Sequence, residues 1–198
     1  MNKILNTNNI DEIINYINTD SIKKPIIIVG MMGVGKSALG KILAKNLNRS
    51  FYDLDENIEN KYNMKIYEIF KDYGEQKFRD IEHQEIKNIN EGCSAIIATG
   101  GGAFTYERNI NILNELGITL WLNSRPEIII ERLKKNINNR PLLKNVDLES
   151  YINNLIIKRN PLYAKANISV MSNNISKNKM TNQLLLAIKT YLMDNKNG

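Results

Sequence analysis

The segment Pro25-Ile26-Ile27-Ile28-Val29-Gly30-Met31-Met32-Gly33-Val34-Gly35-Lys36-Ser37 decides the fold of this 198-residue chain. Ile26 to Val29 is a short run of β-branched residues, the pattern of a strand buried on both faces. Gly30 to Ser37 then fits G-x-x-x-x-G-K-[ST], and a helical pattern follows over residues 36–46. Strand, glycine-rich turn and helix in that order form an anion cradle. Backbone N–H groups turn inward, the helix N-terminus adds positive dipole, Lys36 reaches the outer phosphates and Ser37 offers a hydroxyl to Mg²⁺. Gly33, Val34, Gly35, Lys36, Ser37 and Ala38 are therefore the expected nucleotide contacts.

Outward from this segment, short apolar runs alternate with helical patterns. Further strands are expected at residues 51–54, 95–98, 118–122 and 167–171, and helices at 55–62, 66–73, 76–90, 106–116, 126–134, 148–160 and 179–193. Such alternation implies an open α/β sheet of five parallel strands, flanked by helices on both faces, with ligands at the strands' carboxyl ends. Residues 135–147 break the rhythm: they are polar, carry a proline and read as a mobile lid. Residues 1–24 read as an N-terminal extension ahead of a domain spanning 25–198. Within it Ile10, Ile13, Ile14 and Ile17 recur at helical spacing, so a short amphipathic helix is expected, either packed on the domain or free to meet a partner.

Composition narrows the function classes. The 27 Lys and Arg against 21 Asp and Glu leave a net charge of +6, which suits an anionic ligand. About thirty Asn and about thirty Ile, several-fold above ordinary usage, point to an AT-rich coding bias that also inflates Lys. No zinc-ligand spacing, RNA-binding aromatic pattern or dense basic stripe accompanies the charge, so no nucleic-acid partner is expected. No apolar stretch approaches the roughly 20 residues of a membrane span. The single Cys93 rules out an intrachain disulfide, reads as a small buried side chain and fits a reducing, cytoplasmic compartment. His83 reads as a solvated helix residue, Trp121 as core, and Met31 and Met32 as packing spacers.

The strongest carboxylate signal is Phe51-Tyr52-Asp53-Leu54-Asp55. Residues i and i+2 of a strand share a face, which would aim Asp53 and Asp55 together into the crevice beside the phosphate loop. One could serve the metal and the other an acceptor hydroxyl; equally, one or both could cap the following helix.

Six segments taken together resemble the shikimate kinase family: GMMGVGKS, FYDLDENIE, GEQKFRDIE at Gly74 to Glu82, TGGGA at Thr99 to Ala103, RPLL at Arg140 to Leu143 and RNPLY at Arg159 to Tyr163. Their order and approximate spacing agree with the family from about Pro25 to about Met193, leaving only the extension outside. The resemblance implies a three-layer P-loop kinase fold of the nucleoside-monophosphate-kinase type with a lid. It implies transfer of the γ-phosphoryl of ATP to the 3-hydroxyl of shikimate, on the route to chorismate and the aromatic amino acids. By the family pattern Ser37 and Asp53 serve Mg²⁺, Asp55 binds shikimate hydroxyls and steers the acceptor proton, and Arg79 and Arg159 grip the carboxylate. Gly100, Gly101 and Gly102 line the acceptor, while Arg140 closes over the ATP phosphates and acts with Lys36 and Asp55 in catalysis.

A guanidinium fork suits a carboxylate because it donates two parallel hydrogen bonds. Read without the resemblance, Arg79 and Arg159 would be surface ion-pair residues. The basic residue that meets adenine lies among Arg132, Lys134 and Lys135. The expected enzyme is a monomer taking a small-molecule substrate. Its rivals are a related small-molecule kinase, such as a gluconate kinase, and a catalytically silent kinase-like regulator.

Overall fold

The computed structural model describes residues 7–19, 24–90, 93–137, 143, 146–172 and 175–196. Five parallel strands form one sheet: β1 (Ile26–Val29), β2 (Ser50–Asp53), β3 (Ala95–Ala98), β4 (Ile118–Asn123) and β5 (Ile168–Met171), in the order β2-β3-β1-β4-β5. Ile27 on β1 stands opposite Ile97 of β3 on one side and Thr119 of β4 on the other. Every residue of β1 and β3 is buried, as their unbroken apolar runs require of strands covered on both faces. The five expected strands are all present, with ends moved by one residue at most.

The helices are α1 (Thr7–Thr19), α2 (Lys36–Leu47), α3 (Leu54–Tyr62), α4 (Ile66–Lys87), α5 (Glu107–Leu116), α6 (Pro126–Lys135), α7 (Leu148–Tyr163) and α8 (Lys177–Asp194). Helix α4 is broken at Gly74, whose φ of 81° and ψ of 166° leave the helical region, at the point where two helical patterns meet in the sequence. Between β3 and α5 lies a short 3-10 turn, Ala103–Thr105. Helix α7 runs three residues past its expected end and carries Pro161 inside it.

The chain leaves β1 through α2 for β2, yet β3 comes to lie between them, while β4 pairs with the other edge of β1. Strand order therefore reverses at β1, and the crevice outside its carboxyl end is where an α/β sheet binds ligands. Gly30 turns the chain there with φ of 136°. A Cβ on it would stand 2.5 Å from the Leu122 carbonyl oxygen, so the turn excludes any side chain.

Helix α1 lies against α8 and α2. Ile13 and Ile17 are 1 % exposed within the main core, with Ile10 and Ile14 half-buried beside them. The Tyr16 ring on the same helix receives the ammonium groups of Lys189 and Lys196 at 5.5 and 4.6 Å. Truncating a fully buried Ile leaves a cavity, so Ile13→Ala is expected to cost about 2–5 kcal/mol. Urea unfolding should show the midpoint lowered and the slope unchanged.

Candidate active site

Two cavities meet over the glycine-rich loop and share Gly33, Gly35 and Ala38 in their walls. One, of about 690 Å³, runs from Val34 to Arg132, Leu133, Asn136, Ser172, Ile175 and Met180. The other, of about 770 Å³, holds Lys36, Ser37, Asp53, Asp55, Arg79, Arg159 and Gly100 to Gly102. Every candidate site residue named from the sequence therefore lines one cavity or the other, apart from the adenine candidates Lys134 and Lys135 and apart from Arg140. That residue, like most of the expected lid, lies outside the described residues. Leu143, from the same segment, is buried and lines the second cavity.

Lys36 opens α2, and its ammonium donates to the carbonyls of Gly30 and Met31 at 2.8 and 3.0 Å, drawn over the loop it follows in sequence. Arg132 on α6 reaches the other side of the loop and donates to Val34 O at 2.9 Å. Lys135 pairs instead with Glu131 at 2.6 Å, and Lys134 is exposed. Of the three basic residues, Arg132 is thus the one built into the cavity wall.

Asp53 ends β2 and caps α3. Its Oδ1 accepts from the backbone N–H groups of Asp55 and Glu56 at 3.1 and 3.4 Å, while Oδ2 accepts from the Ser37 hydroxyl at 2.5 Å. Of the alternatives in the sequence, capping is what Oδ1 does, while Oδ2 meets the Ser37 hydroxyl at the mouth of the loop. The expectation that Asp53 and Asp55 share a strand face is corrected here. The cap terminates the strand at Asp53, so Asp55 enters the crevice from the first turn of a helix. A hydroxyl and a carboxylate at the mouth of the loop fit Mg²⁺, a hard ion that takes few protein ligands and keeps its waters and phosphates. Among the described residues no group of three or more His, Cys, Asp or Glu could hold a metal by itself.

Arg79 is no surface residue. It is 7 % exposed, and its guanidinium lies 5.0 to 5.7 Å from the ring centres of Phe78, Tyr106 and Phe70. Nη1 donates to Glu82 Oε2 at 3.0 Å and Nη2 to Glu75 Oε1 at 3.2 Å. Arg159, half-buried on α7, donates to Gly101 O at 3.0 Å, and the Tyr163 hydroxyl one turn later donates to the same carbonyl. Tyr163 is itself fully buried and stacks on the half-buried Trp121, with ring centres 6.0 Å apart.

The glycines between these arginines are required by space. A Cβ at Gly102 would stand 2.6 Å from both terminal nitrogens of Arg79. At Gly100 it would meet Asp55 Oδ1 at 2.6 Å and Glu82 Oε1 at 2.9 Å.

Those two oxygens are buried and without hydrogen-bond partners among the described residues. Burial raises the Asp55 carboxyl above its ordinary value against the pull of Lys36. Glu82 is 0 % exposed; burial pushes it up to about 7, opposed by Arg79 and helped by Asp55.

Sequence reading passed over Glu82 and Tyr163, although both stand in the segments GEQKFRDIE and RNPLY, because nothing in either segment shows which side chain is buried. His83 is corrected as well. It is half-buried, and its Nδ1 lies 2.7 Å from Asn109 Oδ1, while Asn109 Nδ2 donates to Ala103 O at 2.9 Å. Cys93 is half-buried against the core, where burial raises its thiol.

The family description "Shikimate kinase" matches residues 32–189. The chain belongs to the shikimate kinase family. It is 38 % identical over 169 residues to the shikimate kinase of Rhodopseudomonas palustris, covering 85 % of this chain and 83 % of that one. Its fold superposes on a shikimate kinase from Acinetobacter baumannii in complex with shikimate with a TM-score of 0.81, at 31 % identity over 89 % of this chain and 97 % of the other. A gluconokinase from Sinorhizobium meliloti shares the fold at 12 % identity and a TM-score of 0.55, a likeness of architecture alone.

The raised Glu82 carboxyl has a consequence for stability. Its contribution is complete below the ordinary carboxyl range and is lost as pH rises through about 7, because the folded chain then holds an ionised group that burial disfavours. Urea titrations from pH 4.5 to 8 should show the stability of the unmodified chain falling by about 3 kcal/mol relative to Glu82→Gln.

Proposed function

We propose that this chain transfers the γ-phosphoryl of ATP to the 3-hydroxyl of shikimate, giving 3-phosphoshikimate and ADP on the route to aromatic amino acids. The observation that carries this reading is that Arg79, Arg159, Asp55 and Lys36 line one cavity with the Gly100–Gly102 loop, Arg79 against Gly102, Arg159 on the Gly101 carbonyl and Asp55 against Gly100. Two guanidiniums beside a carboxylate-lined wall suit a ligand with an acid at one end and hydroxyls along its ring. Neutral sugars offer nothing for a second arginine to hold.

The reaction is then largely positioning and charge stabilisation. The triphosphate lies along the Gly33–Ala38 backbone, with the base in the cavity walled by Arg132 and Met180. Ser37 and Asp53 would hold Mg²⁺, which supplies charge neutralisation at the outer phosphates. Arg79 and Arg159 fix the shikimate carboxylate, so the 3-hydroxyl points at the γ-phosphorus. Asp55 accepts the hydroxyl proton as the oxygen attacks in line; its burial, which raises its affinity for a proton, supports that role. Lys36 leaves the loop carbonyls to follow the transferring group and stabilises the charge that develops on it.

The same reading makes the protein a cytoplasmic monomer that binds small molecules and neither nucleic acid nor membrane. Among the described residues both cavities are lined by this chain's own side chains, and no helix is long and apolar enough to cross a membrane. We take residues 1–24 as an addition to the catalytic domain that stands apart from its site: α1 packs on the core through Ile13 and Ile17, and no described residue of α1 lines either cavity.

ADP release measured with shikimate, quinate and gluconate tests the assignment, and turnover indifferent to shikimate would overturn it. Arg79→Ala should raise the KM for shikimate at least about 100-fold with the KM for ATP nearly unchanged, whereas Lys36→Ala should lower kcat by about 100-fold or more. An equal loss of affinity for both substrates in Arg79→Ala would remove the carboxylate role.

A further inference from the structure

We propose that Glu82 is a positioning residue that takes up a proton when the substrate's carboxylate docks on Arg79, changing from a competitor for that arginine into a hydrogen-bond donor facing Asp55. The inference rests on the functional reading above and concerns a residue which that reading leaves without a role.

The geometry that points to it is a cluster of charge with one atom too few. Glu82 is 0 % exposed, and its Oε2 accepts from Arg79 Nη1 at 3.0 Å, whereas its Oε1 has no partner among the described residues. Asp55 Oδ1, equally buried and equally unpartnered, lies on the same side of the glycine loop. Both oxygens fall within 2.9 Å of the point where a Cβ on Gly100 would sit. Two acceptors facing one small space repel when both groups are ionised. A single proton on Glu82 Oε1 removes the repulsion and gives the pair a donor.

The charges around Glu82 come from four elements. Arg79 lies on its own helix, Asp55 on α3 and Arg159 on α7, where the Tyr163 hydroxyl also faces it. Helix α5 brings Arg108, which pairs with Asp80 at 2.9 Å on the surface, and the uncharged Asn109. Lys36 acts on Asp55 from α2. Among the described residues Arg79 is the cation that pairs with Glu82. A substrate carboxylate on Arg79 adds a negative charge beside a carboxylate that water does not reach, and the low cost of protonating Glu82 makes a proton the available compensation.

The step is a simple balance: one O–H bond forms on Glu82, the proton comes from solvent, and the bound anion and the proton enter together. The other oxygen of Asp55 is left for the substrate hydroxyl. Binding is then tighter at low pH, and the linkage fades below about pH 5.5, where Glu82 already carries its proton before the ligand arrives.

Calorimetric titration of the full chain with shikimate, in buffers of differing ionisation enthalpy at fixed pH, measures the protons taken up. We expect about half a proton per shikimate at pH 7 and more at pH 8, with a Kd that weakens up to tenfold per pH unit across that range. Glu82→Gln should bind shikimate with uptake below about 0.1 proton and a Kd independent of pH over the same range. His83→Gln should keep the full uptake, which separates Glu82 from the only histidine. An infrared difference spectrum of the unmodified chain should gain a protonated-carboxyl stretch on shikimate addition, and this reports on the proposal even where Glu82→Gln does not fold. Shikimate binding without proton uptake, uptake that survives in Glu82→Gln or disappears in His83→Gln, or no carboxyl band would each overturn the inference alone. No shikimate binding at all would overturn the functional assignment and the inference with it.

Discussion

A guanidinium buried to 7 % exposure is the constraint around which the acceptor side of this protein is arranged. Taking a cation out of water is affordable only when anions and polarisable surfaces replace the lost hydration. Arg79 has both: Glu82 and Glu75 as ion-pair partners, and the faces of Phe70, Phe78 and Tyr106. Once that cation is fixed, Gly102 has no room for a side chain, and Gly100 has none because the Glu82 and Asp55 oxygens stand against it. Tyr163 and Arg159 then hold the loop from behind through the Gly101 carbonyl. The triple glycine is less a flexible turn than a strip of backbone pressed between buried charges.

The phosphate side depends on a smaller device. Asp53 uses one oxygen to stop a strand and start a helix, and the other to meet the Ser37 hydroxyl at the head of α2. Because the same carboxylate fixes both, the distance between the glycine-rich loop and the first turn of α3 is set by a single residue. Asp55, two positions on, inherits its place from that cap. A substitution at residue 53 therefore disturbs the start of α3 and the contact with Ser37 together, whereas one at residue 55 leaves the capping side chain in place.

Much of the fold is legible in the sequence because its signals are local. A β-branched run of four, a glycine-rich turn and a helical period each declare themselves within ten residues, and the observed strands fall within one residue of where those signals put them. The break in α4 is legible for the same reason, through Gly74. Convergence is less so. Arg79 and Arg159 are 80 positions apart and look like exposed ion-pair residues by composition; only the joint order of six motifs brings them to one site. Illegible altogether are burial and satisfaction. Nothing in FRDIE distinguishes the half-buried Asp80 from the inaccessible Glu82, nor His83, which meets Asn109 from another helix. Those facts belong to α3, α4, α5 and α7 meeting around one loop, and no window of sequence contains all four.

The shared architecture with a gluconokinase at 12 % identity shows why fold alone leaves the substrate open. A phosphate loop at the switch point of a parallel sheet positions a triphosphate whatever the acceptor. Acceptor choice must then come from groups that the loop does not dictate, and the proposed function assigns it to the two arginines and the carboxylates that line the second cavity. The net charge of +6 carries little of this information, because two guanidiniums held in a cavity do more than a score of solvated lysines. A chain under coding pressure toward Asn, Ile and Lys can change most of its surface without altering its chemistry, provided that the buried charges around Gly100 to Gly102 remain balanced.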